Sequence, residues 1–299
     1  MVPTSPQTNV PIDFLQAKLR GRRRRLYEGD RLEQLSDCTS VKELWNDLYP
    51  REKGAGRVRL QRHVRKDCIT DLCSILYLLP EAFTPLYSAL LRRFQLDNIL
   101  VLMRLFAGGR KELDPEHFVP NLPEHIDVSP RRLLQARNLE GFIDRLPADL
   151  RSPADDTVDL YESETTTAFT EMALERGWWN LVLDNLADLS RNAREECAPP
   201  ILFELNSARL LSTLRAARAY DIEWDAIHSY LPPEPPHTFG ESRLRMSDPG
   251  LEALFESPEP EEVASQVAML DRAMAGDLVE LEHETWEKII ALANHLYYT

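Results

Sequence analysis

Hydrophobic residues occur at helical spacing around nearly the whole circumference of the segment from 86 to 109. A helix turns about 100° per residue, so this spacing predicts a helix that is buried on almost all sides. Arg93, Asp97 and Arg104 are the exceptions, and their side chains project within about 40° of one another. We name these three residues the charged strip and expect it to face a paired charge, a cavity or a partner. One face of the predicted helix comprises Leu91, Phe94, Asn98, Val101, Leu102 and Leu105, and the other comprises Leu96, Ile99, Met103 and Phe106.

A second segment, around Arg215, repeats the order of features in the first. Each segment has an arginine followed by a proline at nearly the same interval, from Arg104 to Pro120 and from Arg215 to Pro232. A further landmark, the sequence LEGFI from Leu139, returns as LEALF from Leu251. The numbering offset is 215 − 104 = 111 for the arginines and 251 − 139 = 112 for the landmark. An offset that stays nearly constant across separate landmarks indicates internal duplication.

Helical periodicity also governs the rest of the chain. Ser40 and Glu43 form the capping-box pattern that starts a helix. An alternation of period two is not sustained over more than a few residues, so the sequence predicts an all-α fold. Further helices are predicted at 58–79, 169–189, 195–220, 263–275 and 278–298.

Charge is distributed unevenly over the 299 residues, whose net charge is −14. Residues 1–66 carry 15 Lys and Arg against 8 Asp and Glu, a net of +7, and the remainder therefore carries −21. A chain with a basic end and an acidic body favours oriented docking over general nucleic-acid binding.

The positive charge is concentrated between Lys18 and Arg25, where six of eight residues are Lys or Arg. This stretch lies in a predicted helix that Asp13 can cap and Gly29 can end. The pattern fits a solvated helix face, an acidic protein partner or an anionic lipid surface. Nucleic acid is disfavoured, because no aromatic stacking residues alternate with the arginines.

Known chemical motifs are missing from the sequence. It contains no GxxxxGK, GxGxxG, HExxH or GxSxG pattern, so we expect no catalytic residue, cofactor or metal. The four cysteines are not in CxxC spacing and indicate reduced thiols of an intracellular protein. Carboxylates at Glu171, Glu175 and Asp184 are typical of a wet helix face, and Trp178 and Trp179 are typical of a core. No secretory signal and no membrane-spanning stretch are expected.

The order of these features resembles a known family, the C subunit of archaeal-type and bacterial V-type ATPases, which is equivalent to the d subunit of eukaryotic vacuolar ATPases. The similarity extends over nearly the whole chain. The sequences that carry it are FLQAKLRGRRRRLYEGDRLEQLSDCTSVKELWNDLYP, LLRRFQLDNILVLMRLFAGG, FTEMALERGWWNLVL and LNSARLLSTLRAARAYDIEWDAIHSYLPP.

The resemblance implies a funnel of helices with three similar parts related by a pseudo-threefold axis. It also implies a non-enzymatic rotor part that sits on the membrane proteolipid ring and receives the central shaft. Such a protein is peripheral, on the cytoplasmic side of a membrane, with no nucleic acid, membrane insertion or small-molecule substrate. We expect one all-helical unit whose parts are roughly 1–85, 86–193 and 194–299.

The sequence departs from the pattern that the family commonly shows, an acidic residue three before an asparagine and an arginine six after it. In the first third of the chain we expect Arg20 to be the counterpart of Arg104 and Arg215. At the matching positions the first copy has Gln95, Asn98 and Arg104, and the second has Asn206, Arg209 and Arg215.

These considerations give a set of candidate site residues with two interpretations. Each residue either contacts a partner or belongs to an internal ion pair between helices, and we favour the ion pair. Loss of Arg104 would then cost the stability of a buried pair. Two other functions stay open: a helical-repeat adaptor that binds an acidic protein through the basic stretch, and an enzyme with paired carboxylates in a helical cleft. The candidates are Arg20, Arg93, Asp97, Arg104 and Arg215.

Overall fold

The computed structural model describes residues 12–256 except 53, 55, 111–112, 116–117, 165, 220–222 and 240–245. In this part of the chain the regular structure is helical and no strand occurs, which confirms the all-α prediction. The helices predicted at 263–275 and 278–298 lie outside the described residues. The α-helices are α1 (Ile12–Arg23), α2 (Asp30–Ser36), α3 (Val41–Leu48), α4 (Arg57–Cys73), α5 (Thr84–Ala107), α6 (Pro130–Leu134), α7 (Leu139–Ile143), α8 (Ala148–Asp155), α9 (Val158–Glu164), α10 (Ala168–Ala187), α11 (Arg191–Ala219), α12 (Trp224–Ile227) and α13 (Asp248–Glu256).

Helix α5 is buried on most of its circumference, as the hydrophobic pattern predicted. Pro85 occupies its first turn, where the missing N–H costs no hydrogen bond. At the other end Gly109 adopts a positive φ of 67°, and the N–H of Arg110 donates to the carbonyl of Leu105 at 2.9 Å. This is the glycine-terminated C-cap that ends many helices. The buried residues of α5 include Leu91, Leu96, Ile99, Leu102, Met103 and Phe106.

The capping box predicted at the start of α3 is present with one change of partner. Ser40 Oγ accepts a hydrogen bond from the N–H of Glu43 at 3.2 Å. The Glu43 carboxylate reaches back to the N–H of Thr39 at 2.9 Å, one residue before the expected donor. Both ends of the box therefore satisfy N–H groups at the helix start.

Helix α11 starts earlier than the sequence predicted. The sequence predicts a start at residue 195, but the helix begins at Arg191, and Pro199 and Pro200 lie inside it. Each proline removes one N–H and leaves the carbonyl four residues before it without a helical donor. Those carbonyls belong to Glu195 and Glu196, which are exposed, so water can satisfy them.

The chain divides into two compact units, one up to Gln135 and one from Ala136. In the first, α4 packs against α5 and a cluster of apolar side chains forms around Ile69, Leu91 and Ile126. In the second, α10 packs against α8, α9 and α11, and α11 packs against α13. The three-part division at 85/86 and 193/194 stays a prediction.

Candidate functional site

The charged strip lies on α5 and contains an ion-paired carboxylate. Asp97 Oδ1 is 3.1 Å from Arg93 Nε, one turn earlier on the same helix. Its other oxygen, Oδ2, is 2.6 Å from Arg65 Nη2 on α4. Asp97 therefore joins two neighbouring helices, and its side chain is 30% exposed. A pair at this depth keeps enough surface to interact with a partner as well.

Arg104, the third residue of the strip, is exposed. It borders a shallow surface depression with Val101, Leu105, Gly108 and Arg110. The loss of stability expected for a buried pair does not apply to an exposed side chain, so we revise that expectation downward.

Asn98 is a buried polar residue of α5 between the two ends of the strip. Only 1% of it is exposed, and its Nδ2 donates to the carbonyl oxygen of Pro120 at 2.9 Å. The hydrogen bond fixes the loop after α5 to the middle of the helix. Nearby, Gln95 Oε1 accepts a hydrogen bond from Arg92 Nε at 3.0 Å, and burial lowers the pKa of Arg92.

Arg209 holds the corresponding place on α11, with 2% of it exposed. Its guanidinium donates to the carbonyl oxygen of Pro232 and pairs with the carboxylate of Asp248, the first residue of α13. Burial lowers the pKa of Arg209, and the hydrogen bond to Asp248 acts against that shift. One buried cation therefore fixes both a loop and the start of a helix to α11.

Two further hydrogen bonds hold the same loop. Arg176 Nη1 on α10 donates to the carbonyl of Leu231 at 2.8 Å. Asn206 Oδ1 on α11 accepts from the N–H of Met246 at 3.1 Å. With Arg209, these bonds attach one end of the segment from 231 to 248 to α10 and α11, and its other end to α11.

The two sets of hydrogen bonds follow the offset found in the sequence. The donors Asn98 and Arg209 differ by 111 in numbering, and the prolines that accept their hydrogen bonds differ by 112. Arg65 and Arg176 also differ by 111, but one pairs with a carboxylate and the other with a carbonyl. This agreement supports internal duplication, with α4 and α5 matching α10 and α11.

Sequence reasoning did not name Arg65, Arg176 or Arg209 as site candidates. The repeat offset could have found Arg176 from Arg65. Arg209 was noted only as a departure from the family pattern, although it stands where the first copy has Asn98. Arg176 and Arg209 both donate to main-chain carbonyls, and the sequence has no signature for such an acceptor.

The two remaining predicted site residues are exposed. Arg215 is exposed on α11, and Arg20 is exposed on α1. Of the five candidates, the structure joins Arg93 to Asp97 directly. The roles of all five stay predictions.

The tryptophans and the carboxylate that the sequence offered for other chemistry make contacts within the protein. Trp178 and Trp179 are buried, with ring centroids 4.5 Å apart, so they belong to the core. Glu171 accepts a hydrogen bond from Thr167 Oγ1 at 2.7 Å. Within the described ranges, no group of three or more His, Cys, Asp or Glu residues is arranged to hold a metal ion. None of the helices in those ranges is both long enough and apolar enough to cross a membrane.

These features define an all-helical protein whose buried polar side chains fix loops to long helices. Residues 15–299 match the model of the ATP synthase (C/AC39) subunit family, and the chain belongs to this family. The match confirms the resemblance found in the sequence and supports a role as a subunit of a rotary ATPase. No curated protein matches the chain.

Proposed function

We propose that this protein is the central-stalk connector of a V/A-type rotary ATPase. It links the central shaft to the proteolipid ring and couples ATP hydrolysis or synthesis to ion transport. The observation that carries the proposal is the family match from residue 15 to residue 299, which covers nearly the whole chain. Its partners are then the shaft subunits and the ring.

A connector transmits torque, so its loops must not yield when the shaft turns. Hydrogen bonds from buried charged or amide groups resist such movement, because separating the partners leaves a buried polar group unsatisfied. Arg209, Arg176 and Asn206 supply these bonds for the second long helix, and Asn98 supplies one for the first. These contacts support a role for α5 and α11 in transmitting force.

The connector acts without catalysis of its own, from the cytoplasmic side and as a peripheral subunit. A funnel with three similar parts would present a cavity to the shaft. The matching of α4 and α5 with α10 and α11 supports a repeated helix pair, and each copy of this pair crosses one of the expected boundaries at 85/86 and 193/194. Arg104 and Arg215, which are both exposed and related by the repeat offset, are the side chains we propose for contact with the shaft.

The test is an affinity purification of the tagged protein from its own detergent-solubilised membranes, with mass identification of the chains that co-elute. The proposal expects the nucleotide-binding subunits, the shaft and the proteolipid together. Recovery of the protein alone, or with soluble proteins only, would contradict the connector function and leave the family match as evidence of shared ancestry only.

A helical-repeat adaptor is the second candidate function, and the exposed basic side chains of α1 favour it. The same purification distinguishes the two. An adaptor would co-elute with an acidic protein and without the subunits of a rotary ATPase.

A further inference from the structure

Helix α1 is attached to the rest of its unit along one side. The guanidinium of Arg22 donates to the carbonyl oxygen of Asp71 on α4. Leu15 and Leu19, which lie near Arg22 on the helical wheel, are half-buried. The opposite side of the helix is exposed, so α1 presents an open face at a fixed place on α4.

That open face is a groove with small residues at its floor. Ala17 and Gly21, one turn apart, line it beside Arg20 and Arg24, and the groove has a volume of about 430 Å³. A Cβ atom built on Gly21 would meet no other atom within 4 Å. The chain's own packing therefore does not require glycine here, although glycine weakens a helix.

The walls of the groove are positively charged. Arg20 on α1 and Arg24, the residue after its end, are both exposed. The N–H of Arg24 donates to the carbonyl of Arg20 at 3.2 Å, so helical spacing continues to Arg24 and the two side chains lie on the same side. Lys18 is also exposed but lies outside the groove, about 160° from Arg20 on the helical wheel, and its ammonium is 5.6 Å from the centre of the Phe14 ring. Asp13 is the carboxylate that lines the groove, at its N-terminal end.

We propose that this groove docks an acidic α-helix of a partner protein. Small residues allow two helix axes to approach closely, and side chains four residues apart form the ridges that fit between helices. Carboxylates spaced four residues apart on the partner would meet Arg20 and Arg24, each of which can bind a carboxylate with two parallel hydrogen bonds.

The groove fits a protein helix better than a membrane or a nucleic acid. A helix that lies in a membrane surface inserts large apolar side chains, whereas the side chains beside the arginines here are Ala17 and Gly21. Binding of single-stranded nucleic acid uses aromatic side chains as stacking platforms. Phe14, the aromatic residue of α1, precedes the groove and lies beneath Lys18.

This inference rests on the geometry of α1 and not on the rotary ATPase. A partner identified as an ATPase subunit would support both proposals. Docking of an acidic helix from an unrelated protein would support the groove and count against the connector.

Chemical coupling of carboxylates to amines tests the groove directly. The tagged full-length protein, with its partners from native membranes, is treated with a zero-length coupling reagent, and the joined peptides are identified by mass. The residues that line the groove include no lysine, so the variant Gln16→Lys places an amine there. We expect this amine to be joined to an Asp or Glu of another protein, within a helical segment that carries acidic residues three or four apart. Coupling of this amine only within its own chain would overturn the proposal.

Two kinds of variant complete the test. The double variant Arg20→Glu and Arg24→Glu should reduce the recovery of the coupled partner at least tenfold. Gly21→Leu should do the same without a change in charge, because it fills the groove. The matched control is Lys42→Glu with Lys66→Glu, which changes the charge equally at exposed positions of the same unit. An equal loss in the control would show a general effect of charge and contradict a specific groove.

Vesicles distinguish a membrane from a protein partner. The purified protein is floated with vesicles of equal parts phosphatidylcholine and phosphatidylserine. We expect the native chain and the Arg20→Glu, Arg24→Glu variant to float to the same small extent. Flotation of the native chain that the double variant loses would identify a lipid surface as the occupant and overturn the proposal.

Discussion

Asn98 and Arg209 occupy equivalent places in the two repeats, and each donates a hydrogen bond from a buried side chain to the carbonyl oxygen of a proline beyond its helix. The first uses a neutral amide and the second a cation that also pairs with Asp248. Position and acceptor agree, whereas the chemistry of the donor differs. The position therefore requires a donor that can reach the loop, and more than one side chain can supply it.

Arg209→Ala should lower the free energy of unfolding by about 3 kcal/mol, because a charged hydrogen bond is lost and a large buried side chain leaves a cavity. Arg209→Met should cost less, since it fills most of the space and removes the penalty for burying a cation. Urea unfolding followed by circular dichroism measures both. Equal losses for the two variants would contradict the importance of packing at this position.

Asp248→Asn is the control for Arg209. The Asp248 side chain is 55% exposed, so its charge contributes less than about 1 kcal/mol. A loss as large as that of Arg209→Ala would place the stabilisation in the ion pair and not in the hydrogen bond to Pro232.

Asn98→Ala should destabilise the protein by about 1 to 3 kcal/mol, because the Pro120 carbonyl loses its buried donor. Arg104→Ala, on the same helix but exposed, should change stability by less than about 1 kcal/mol. Thermal and urea unfolding of both variants check this difference. Weaker shaft binding by Arg104→Ala with an unchanged melting curve would support a partner contact. A large loss of stability would instead support the internal ion pair.

The periodicity of hydrophobic residues was sufficient to predict the class of fold and the burial of α5. It could also predict that Arg93, Asp97 and Arg104 project in one direction, since that depends on the angle per residue alone. It could not predict that Arg104 is exposed, because a helical wheel gives a direction and not the atoms that cover it.

The contacts of the site were harder to predict than its positions. Arg65 and Asp97 are 32 residues apart in sequence, and Arg209 binds a carbonyl 23 residues away. Such pairs depend on how loops return to helices. Every residue has a main-chain carbonyl, so the sequence does not mark the one that accepts the hydrogen bond. The start of α11 was missed because proline is disfavoured inside a helix, whereas Pro199 and Pro200 lie inside this one.

Gly177→Ala should destabilise the protein by about 1 to 3 kcal/mol, the usual cost of overpacking a core. A Cβ atom at this position of α10 would lie 2.7 Å from Pro153 Cγ on α8. Gly21→Ala is the matched control, since Gly21 is also inside a helix but faces open space. It should be neutral or stabilise the protein by up to about 1 kcal/mol. Urea unfolding measures both, and equal effects would contradict close packing of α8 on α10.

The pair between Arg65 and Asp97 should have a coupling energy of about 0.5 to 1 kcal/mol, as measured by a double-mutant cycle with Arg65→Met and Asp97→Asn. It joins two helices and is partly buried. Arg191 and Glu195 are the control, because they lie on one helix and are mostly exposed. Their coupling should be weaker and should disappear sooner as salt is added. Equal coupling in the two pairs would indicate that Asp97 contributes nothing beyond a surface contact.

Glu43 should make the stability of the protein depend on pH. The hydrogen bond from the N–H of Thr39 is the main cause that lowers the pKa of Glu43 below its usual 4.5, and the Thr39 hydroxyl adds to it. A lowered carboxyl pKa means that the unfolded chain takes up the proton first as the pH falls. The contribution of Glu43 is therefore fully present above pH 4.5 and is lost as the pH falls below that value.

Glu43→Gln keeps the shape of the capping box without the titrating group, so the difference in unfolding free energy between the two proteins should shrink in acid. A difference that stays constant across this range would show that the charge of Glu43 does not stabilise the start of α3.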